Sequence, residues 1–177
     1  FMENFCWEKE ALDLFAKDFE TGDTISKDLF KKMTKARTFH AAIQMLRQLE
    51  FAIFDFRLHL EFASKKKLNI QKLLDDVREN VSVVKTPEFN RFQHSFSHIF
   101  AGGYSAGYYS YKWAEVLSAD AFSKFEEQGI FNKLTGNKFL KSILEKGGSC
   151  EPMDMFIEFR GRKPSIEPLL KHAGILV

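Results

Sequence analysis

Apolar residues recur at steps of three and four along most of the chain, in stretches separated by glycine, proline and short polar runs. That spacing is the mark of amphipathic helices. Trp7 to Phe19 reads as one helix, stopped by Thr21, Gly22 and Asp23. Ser26 is a good N-cap for a short helix carrying Leu29, Phe30 and Met33. A long helix follows, with Phe39, Ala42, Leu46, Leu49, Ile53, Phe56 and Leu60 in one stripe. Phe51 and Phe54 widen that stripe, which predicts a helix covered on more than one side. Ile70 to Val84 is again amphipathic, and Thr86 with Pro87 starts a segment reaching about Phe96. A helix from about Ser105 to Gln128 carries Trp113, Val116, Leu117 and Phe125. Phe139 to Lys146 ends at Gly147 and Gly148, a C-cap signal. Ser149 caps a helix with Pro152 in its first turn, running to Phe159, and a last helix starts near Pro164 and stops before Gly174. Only Val81 to Val84 reads as a weak strand, so the fold class expected is all-α.

Composition sharpens this picture at one point. Of 177 residues, 20 are Phe, against 2 Trp and 4 Tyr. Rings of that size are mostly buried, and a single domain has limited room for so many. Some are therefore expected to form an exposed apolar patch that a missing part of a larger protein covers. The chain opens at Phe1, with Met2 second, which also suggests a piece cut from something longer. Net charge is +2, from 26 basic and 24 acidic residues. That balance does not argue for nucleic acid or a membrane surface. The basic run Lys65, Lys66 and Lys67 reads as a solvated loop or helix end, or else as a small phosphate-binding patch. Cys6 and Cys150, far apart and without a secretory leader, fit a reducing cytoplasm. No apolar run approaches the roughly 18 residues of a membrane span.

The unusual segment is Phe96 to Trp113, F-S-H-I-F-A-G-G-Y-S-A-G-Y-Y-S-Y-K-W, which holds His98, three glycines and every tyrosine of the chain. Gly102 and Gly103 permit positive φ and close approach of a ligand. Tyr104, Tyr108 and Tyr111 are spaced i, i+4, i+7, which would put three phenols on one helical face. Each phenol donates one hydrogen bond from a stiff ring, which suits an oxygen gaining negative charge in a transition state. The same spacing also describes a half-buried core face, and His98 alone is as often a capping residue as a catalyst. Arg160 and Arg162, flanking Gly161, suit either a peptide carboxylate or a clamp on helix ends, and Arg57 suits pairing with Asp55, with Glu61 or with an acid across the bundle.

The segment H-I-F-A-G-G-Y-S-A-G-Y-Y-S-Y-K-W resembles the signature near the C-terminus of the thimet oligopeptidase family of zinc peptidases. F-M-E-N-F-C-W-E at the start, L-R-Q-L-E-F-A-I-F-D-F-R-L-H in the middle and G-G-S-C-E-P-M-D-M-F-I-E-F-R-G-R-K-P near the end resemble that family too, in its order. The resemblance therefore covers essentially the whole chain. It implies residues 1–177 of a C-terminal, multi-helix catalytic lobe in a clam-like peptidase, with zinc at the floor of a deep channel and short peptides as substrates. The family's zinc motif is H-E-x-x-H on a helix, with two His ligands, a Glu general base and a third ligand from a later Glu. None of His40, His59, His94, His98 and His172 has that partner pattern. The zinc ligands are thus expected upstream of Phe1, none in this chain, and the fragment alone is expected to be inactive.

By the same resemblance, Glu3 matches an acid that hydrogen-bonds a zinc-bound histidine. His98, Tyr104 and Tyr111 match residues that contact the scissile amide and its tetrahedral oxyanion, with Tyr111 the first choice as donor. Gly102, Gly103 and Gly107 match a loop that closes over bound peptide, and Tyr108 lies beside them on the substrate side. The position of His98 follows the bacterial branches, since in the animal enzymes the histidine lies one residue closer to the glycines. Two other readings stand beside this one: a non-catalytic helical module that binds a peptide or protein with the tyrosine face, and a purely structural helical lobe.

Overall fold

The computed structural model describes residues 1–64 and 67–176. Among them there are helices and turns but no strand, and the one isolated bridge pairs Lys17 with Thr24. The helices are α1 (Lys9–Phe15), α2 (Lys27–Arg37), α3 (Ala41–Ser64), α4 (Ile70–Val81), α5 (Ser110–Gln128), α6 (Lys133–Phe139), α7 (Pro152–Arg160) and α8 (Glu167–His172). The all-α expectation holds. No described helix is long and apolar enough to cross a membrane. Lys65 and Lys66 lie outside the described residues, and Lys67 is exposed. The chain divides into two compact units, Phe1–Phe39 with Glu115–Val177, and His40–Ala114.

The first unit is built around phenylalanine. Phe122, Phe125, Phe156 and Phe159 form its core with Ala121 and Ile130, and Phe1, Phe5 and Phe139 pack against it. The Phe1 and Phe139 rings stack at 4.3 Å. Phe122 and Phe159 are almost wholly enclosed, and burying each stabilises the fold by about 1.5–3 kcal/mol. Asp120, fully buried on α5, accepts from Arg160 Nε at 3.0 Å, from both Arg162 Nη atoms at 2.6 Å and from the Ser165 N–H at 2.6 Å. Arg160 also reaches Ser123 Oγ and Glu127. The two arginines therefore clamp helix ends, the second of the two roles their sequence suggested.

In the second unit α3 and α4 enclose a core of Phe51, Phe54, Leu58, Leu73 and Leu74, closed by Phe96, Ile99 and Tyr108. Asn69 caps α4 by accepting from the Lys72 N–H at 3.0 Å. Arg78 of α4 pairs with Glu50 of α3 at 2.9 Å, and Arg57 takes Glu61 at 2.8 Å. Of the wide apolar surface expected on α3, one side is buried in this unit and the other is not. Phe56 is 51% exposed and Leu60 64%, while Phe51, Phe54 and Leu58 are buried. The apolar face of α4, with Leu73, Leu74 and Val77, is matched by the face that Phe51 and Phe54 add. With Phe15, Phe19, Phe39, Phe62, Phe89, Phe100 and Phe131 also exposed, the expected surplus of surface phenylalanine is present.

Local differences have local causes. The first expected helix stops at Phe15, because Asp18 Oδ1 captures the Glu20 and Thr21 N–H groups in a turn. Those bonds, Thr21's foremost, hold the Asp18 carboxyl below its ordinary value. Ser26 caps α2 through the Leu29 N–H, as its sequence indicates. The segment after Pro87 forms no regular helix, only short 3-10 turns at Phe92–His94 and Ser97–Ile99. Val81 to Val84 ends α4 and leaves it, with the Ser82 hydroxyl donating to the Val84 carbonyl. A helix begins six residues before Phe139, because Asn132 accepts from the Leu134 and Thr135 N–H groups. It continues as a π turn over Leu140–Leu144. Pro152 and Pro168 each open a helix, whereas Ser149 caps none.

Candidate active site

The tyrosine segment belongs wholly to the second unit, and its turns are set before its helix begins. Phe96 and Ile99 are buried and anchor it. The Gly102 N–H donates to the Ser97 carbonyl at 3.0 Å, the Tyr104 N–H to the His98 carbonyl at 3.1 Å, and the Ser105 hydroxyl to the Ile99 carbonyl at 2.5 Å. A Cβ at position 102 would stand 2.8 Å from the His98 backbone, so only glycine fits this approach. Gly103 has φ +78°, in the left-handed region glycine enters freely. At Gly107 a Cβ would meet nothing nearer than 3.6 Å, so packing does not demand that glycine.

The helix expected from Ser105 starts at Ser110 instead. Ala106 takes φ +55°, which no helical residue can hold. Tyr104 and Tyr108 therefore sit in turns, and only Tyr111 is on α5, so the three phenols do not share a helical face. Their rings converge by another route. Tyr104 and Tyr111 lie 4.8 Å apart between centroids, and Tyr108 and Tyr111 5.1 Å. The neighbouring Tyr104 hydroxyl above all, then burial and the other phenols, pushes the Tyr111 phenol up to about 12. Tyr111 thus keeps its proton across the whole neutral range. It is 38% exposed, so the pair is accessible.

Tyr108 is different. It is buried, and its hydroxyl donates to Gln48 Oε1 at 3.0 Å. Burial raises its phenol above the ordinary value. His98 is exposed, with its ring 6.0 Å from Phe96 and 6.1 Å from Tyr108. Glu3 is exposed on the 3-10 turn Met2–Trp7 and belongs to the first unit, whereas His98, the glycines and the tyrosines all belong to the second. Among the described residues no group of three or more His, Cys, Asp or Glu side chains is placed to hold a metal ion.

One participant escaped the sequence reading. Asp55, inside the phenylalanine-rich stretch of α3 and fully buried, accepts from the Ala106 N–H at 2.9 Å and from the Tyr108 N–H at 3.0 Å. His59 Nδ1 lies 3.0 Å from Asp55 Oδ1 and 2.9 Å from the Asp55 carbonyl. The available signal was a carboxylate at the centre of an apolar helix, since a buried charge needs specific partners.

Comparison with known proteins agrees over nearly the full chain. Residues 1–175 match the model of peptidase family M3. Oligopeptidase A of Escherichia coli (strain K12) is 55% identical over 175 residues, covering 99% of this chain and 26% of that protein. Oligopeptidase A of Haemophilus influenzae is 56% identical over 176 residues, again 99% and 26%. The dipeptidyl carboxypeptidase of E. coli is 31% identical over 175 residues, 98% of this chain and 26% of that protein. The chain thus spans about a quarter of the length of these curated relatives. The motif resemblance along the whole sequence and the family match coincide, and the chain belongs to peptidase family M3.

Proposed function

We propose that this chain is the C-terminal part of a cytoplasmic zinc oligopeptidase that hydrolyses short peptides, and that it contributes the donors for the tetrahedral oxyanion. The rest of the same polypeptide would supply the zinc ligands, complete the clam-like channel and cover the exposed phenylalanines. The H-E-x-x-H pattern does not occur in this sequence, so its own part would be binding and orientation, and alone it would be inactive. In the whole enzyme zinc would supply Lewis-acid chemistry at the scissile carbonyl.

The observation that carries the reading is the convergence of the half-buried Tyr104 and the exposed Tyr111, with ring centroids 4.8 Å apart. In the free state the Tyr111 phenol stands beside that of Tyr104. An oxygen that becomes anionic is a stronger acceptor than a neutral phenol, so it draws the Tyr111 proton as charge develops. A phenol ionising at about 12 is neutral and able to donate at every working pH. Tyr104 supports the shift by donating in turn. His98 and the glycines Gly102, Gly103 and Gly107 line the approach and close over peptide, while Tyr108 serves as the platform beneath. Glu3 would orient a zinc-bound histidine of the preceding segment.

The test is steady-state kinetics on a quenched-fluorescent peptide with the full-length enzyme. Tyr111→Phe lowers kcat by about 10²–10³, or about 3–4 kcal/mol, with a smaller change in KM. Tyr104→Phe costs less, and Tyr108→Phe, which keeps the buried ring but loses the Gln48 bond, costs least of the three. If Tyr111→Phe keeps more than about half of kcat, far above the loss expected of an oxyanion donor, the phenol pair is part of the core and not of the chemistry.

A further inference from the structure

We propose that Asp55 is a positioning residue for the peptidase reaction: its two carboxylate oxygens, through the Ala106 and Tyr108 N–H groups, set the turn that presents Tyr104 and Tyr111. The proposal rests on the reading of those tyrosines as oxyanion donors and adds what holds them in register.

Four observations lead there. Asp55 is fully buried on the core face of α3, beside Phe51, Phe54 and Leu58. A carboxylate in that place costs several kcal/mol unless its oxygens are well satisfied, so its partners reveal its task. Both backbone partners lie 51 and 53 residues away, inside one turn of the tyrosine segment. Second, Ala106 holds φ +55°, a conformation that is strained for an L-residue and persists only where the surroundings enforce it. The Ala106 N–H donating to an ionised oxygen is a charge-assisted bond of the strength required.

Third, Tyr108 is fixed at both ends, by its N–H on Asp55 and its hydroxyl on Gln48, both on α3. The Tyr111 ring rests on this fixed ring at 5.1 Å, and Tyr104 rests on Tyr111. Asp55 and Gln48 thus carry the geometry of a rigid helix into a loop, as a preorganised site requires. Fourth, His59, one turn along α3, hydrogen-bonds the Asp55 carbonyl at 2.9 Å and sets its Nδ1 3.0 Å from Asp55 Oδ1, so the carboxylate is flanked by a polar group on α3 itself.

The experiment uses the full-length, zinc-loaded enzyme and one quenched-fluorescent peptide. Asp55→Asn keeps the side-chain volume but sets an NH₂ donor against a backbone donor. Displacing reacting groups by about 1 Å is enough for a 10²-fold loss. The expected result is a kcat reduced about 10–100-fold with KM within about 3-fold and zinc content unchanged. The decisive readout is the double variant. If Asp55 acts through Tyr111, then Tyr111→Phe in the Asp55→Asn background costs only about 10-fold more, instead of about 10²–10³. Ala106→Gly, which takes the left-handed backbone without strain, restores part of kcat to Asp55→Asn.

An unchanged kcat in Asp55→Asn, or losses that multiply in the double variant, overturns the proposal while the oxyanion reading stands. A silent Tyr111→Phe overturns the oxyanion reading and this proposal with it. If Asp55→Asn does not fold, the Asp55→Asn/Ala106→Gly protein carries the same comparison. If neither folds, Asp55 serves the fold as a whole and the proposal is overturned.

Discussion

Asp55 and Asp120 are both fully enclosed carboxylates on long helices, one in each unit, and their partners are of opposite kinds. Asp120 faces two guanidinium groups and one backbone N–H, 40 to 45 residues along the chain. Asp55 faces two backbone N–H groups of one turn and a histidine. Burial pushes Asp120 up, but the bonds from Arg162, Ser165 and Arg160 outweigh it and hold the carboxyl below its ordinary value. Charge neutralised by charge joins α5 to the end of α7, and so holds a fold together. Charge shared among amide protons shapes a loop. What a buried acid is for is read from what it holds.

The largest expected effect follows on the Asp120 side. Asp120→Ala leaves two arginines facing each other at a buried site, and breaking such a cluster costs about 3–5 kcal/mol. For a chain of this length that lowers Tm by roughly 10 °C, seen in thermal or urea unfolding. A loss below about 1 kcal/mol, the range of an exposed pair, would erase the contrast.

The two arginines then separate. Arg160 is 9% exposed and bridges Asp120, Ser123 and Glu127, whereas Arg162 is 42% exposed. Arg160→Ala should cost about 2–3 kcal/mol and Arg162→Ala about 1 kcal/mol. Equal losses in parallel denaturant titrations would show that exposure does not rank the cluster.

The smallest effects lie at the ends of the pH scale. The Asp120 contribution is fully present above its ordinary value of 3.8 and is lost only as pH falls through its lower folded value. The stability gap between the wild type and Asp120→Asn is then constant from pH 7 to about 4 and closes below that. Tyr111 acts at the other end. Its contribution is complete below pH 10 and fades as pH rises toward about 12. Phenolate absorbance should show Tyr108 and Tyr111 ionising late, Tyr111 toward about 12, and Tyr104→Phe should return Tyr111 toward the ordinary value. A single titration of all four tyrosines near pH 10 would count against the phenol pair.

Much of the helix pattern was legible in the sequence, because periodic burial and caps such as Ser26 are local. The tyrosine segment was legible by concentration of residue types and by motif. Two things were not. The buried face of α3 could not be chosen from its own periodicity, because apolar residues occupy both sides and α4 decides between them. The turn at Ala106 was hidden because nothing in alanine asks for φ +55°. The request comes from Asp55, 51 residues earlier, a distance that no local window spans. The helix over Lys133–Phe139 was missed for a simpler reason, since Gly136 reads as a breaker.

The division of the chain also sets an order of birth. The unit bearing the tyrosines is continuous in sequence, His40–Ala114, while its neighbour is assembled from Phe1–Phe39 and Glu115–Val177. On a ribosome adding about 5–20 residues per second, the continuous unit has all its parts while the other still lacks half of its core. Phe1 and Phe5 must wait roughly 6–30 s at that rate for Phe122, Phe125, Phe139 and Phe159 to be made. During that interval the greasy segment around Phe1 and Phe5 is in need of a chaperone's shelter, and a slower ribosome lengthens the exposure in direct proportion.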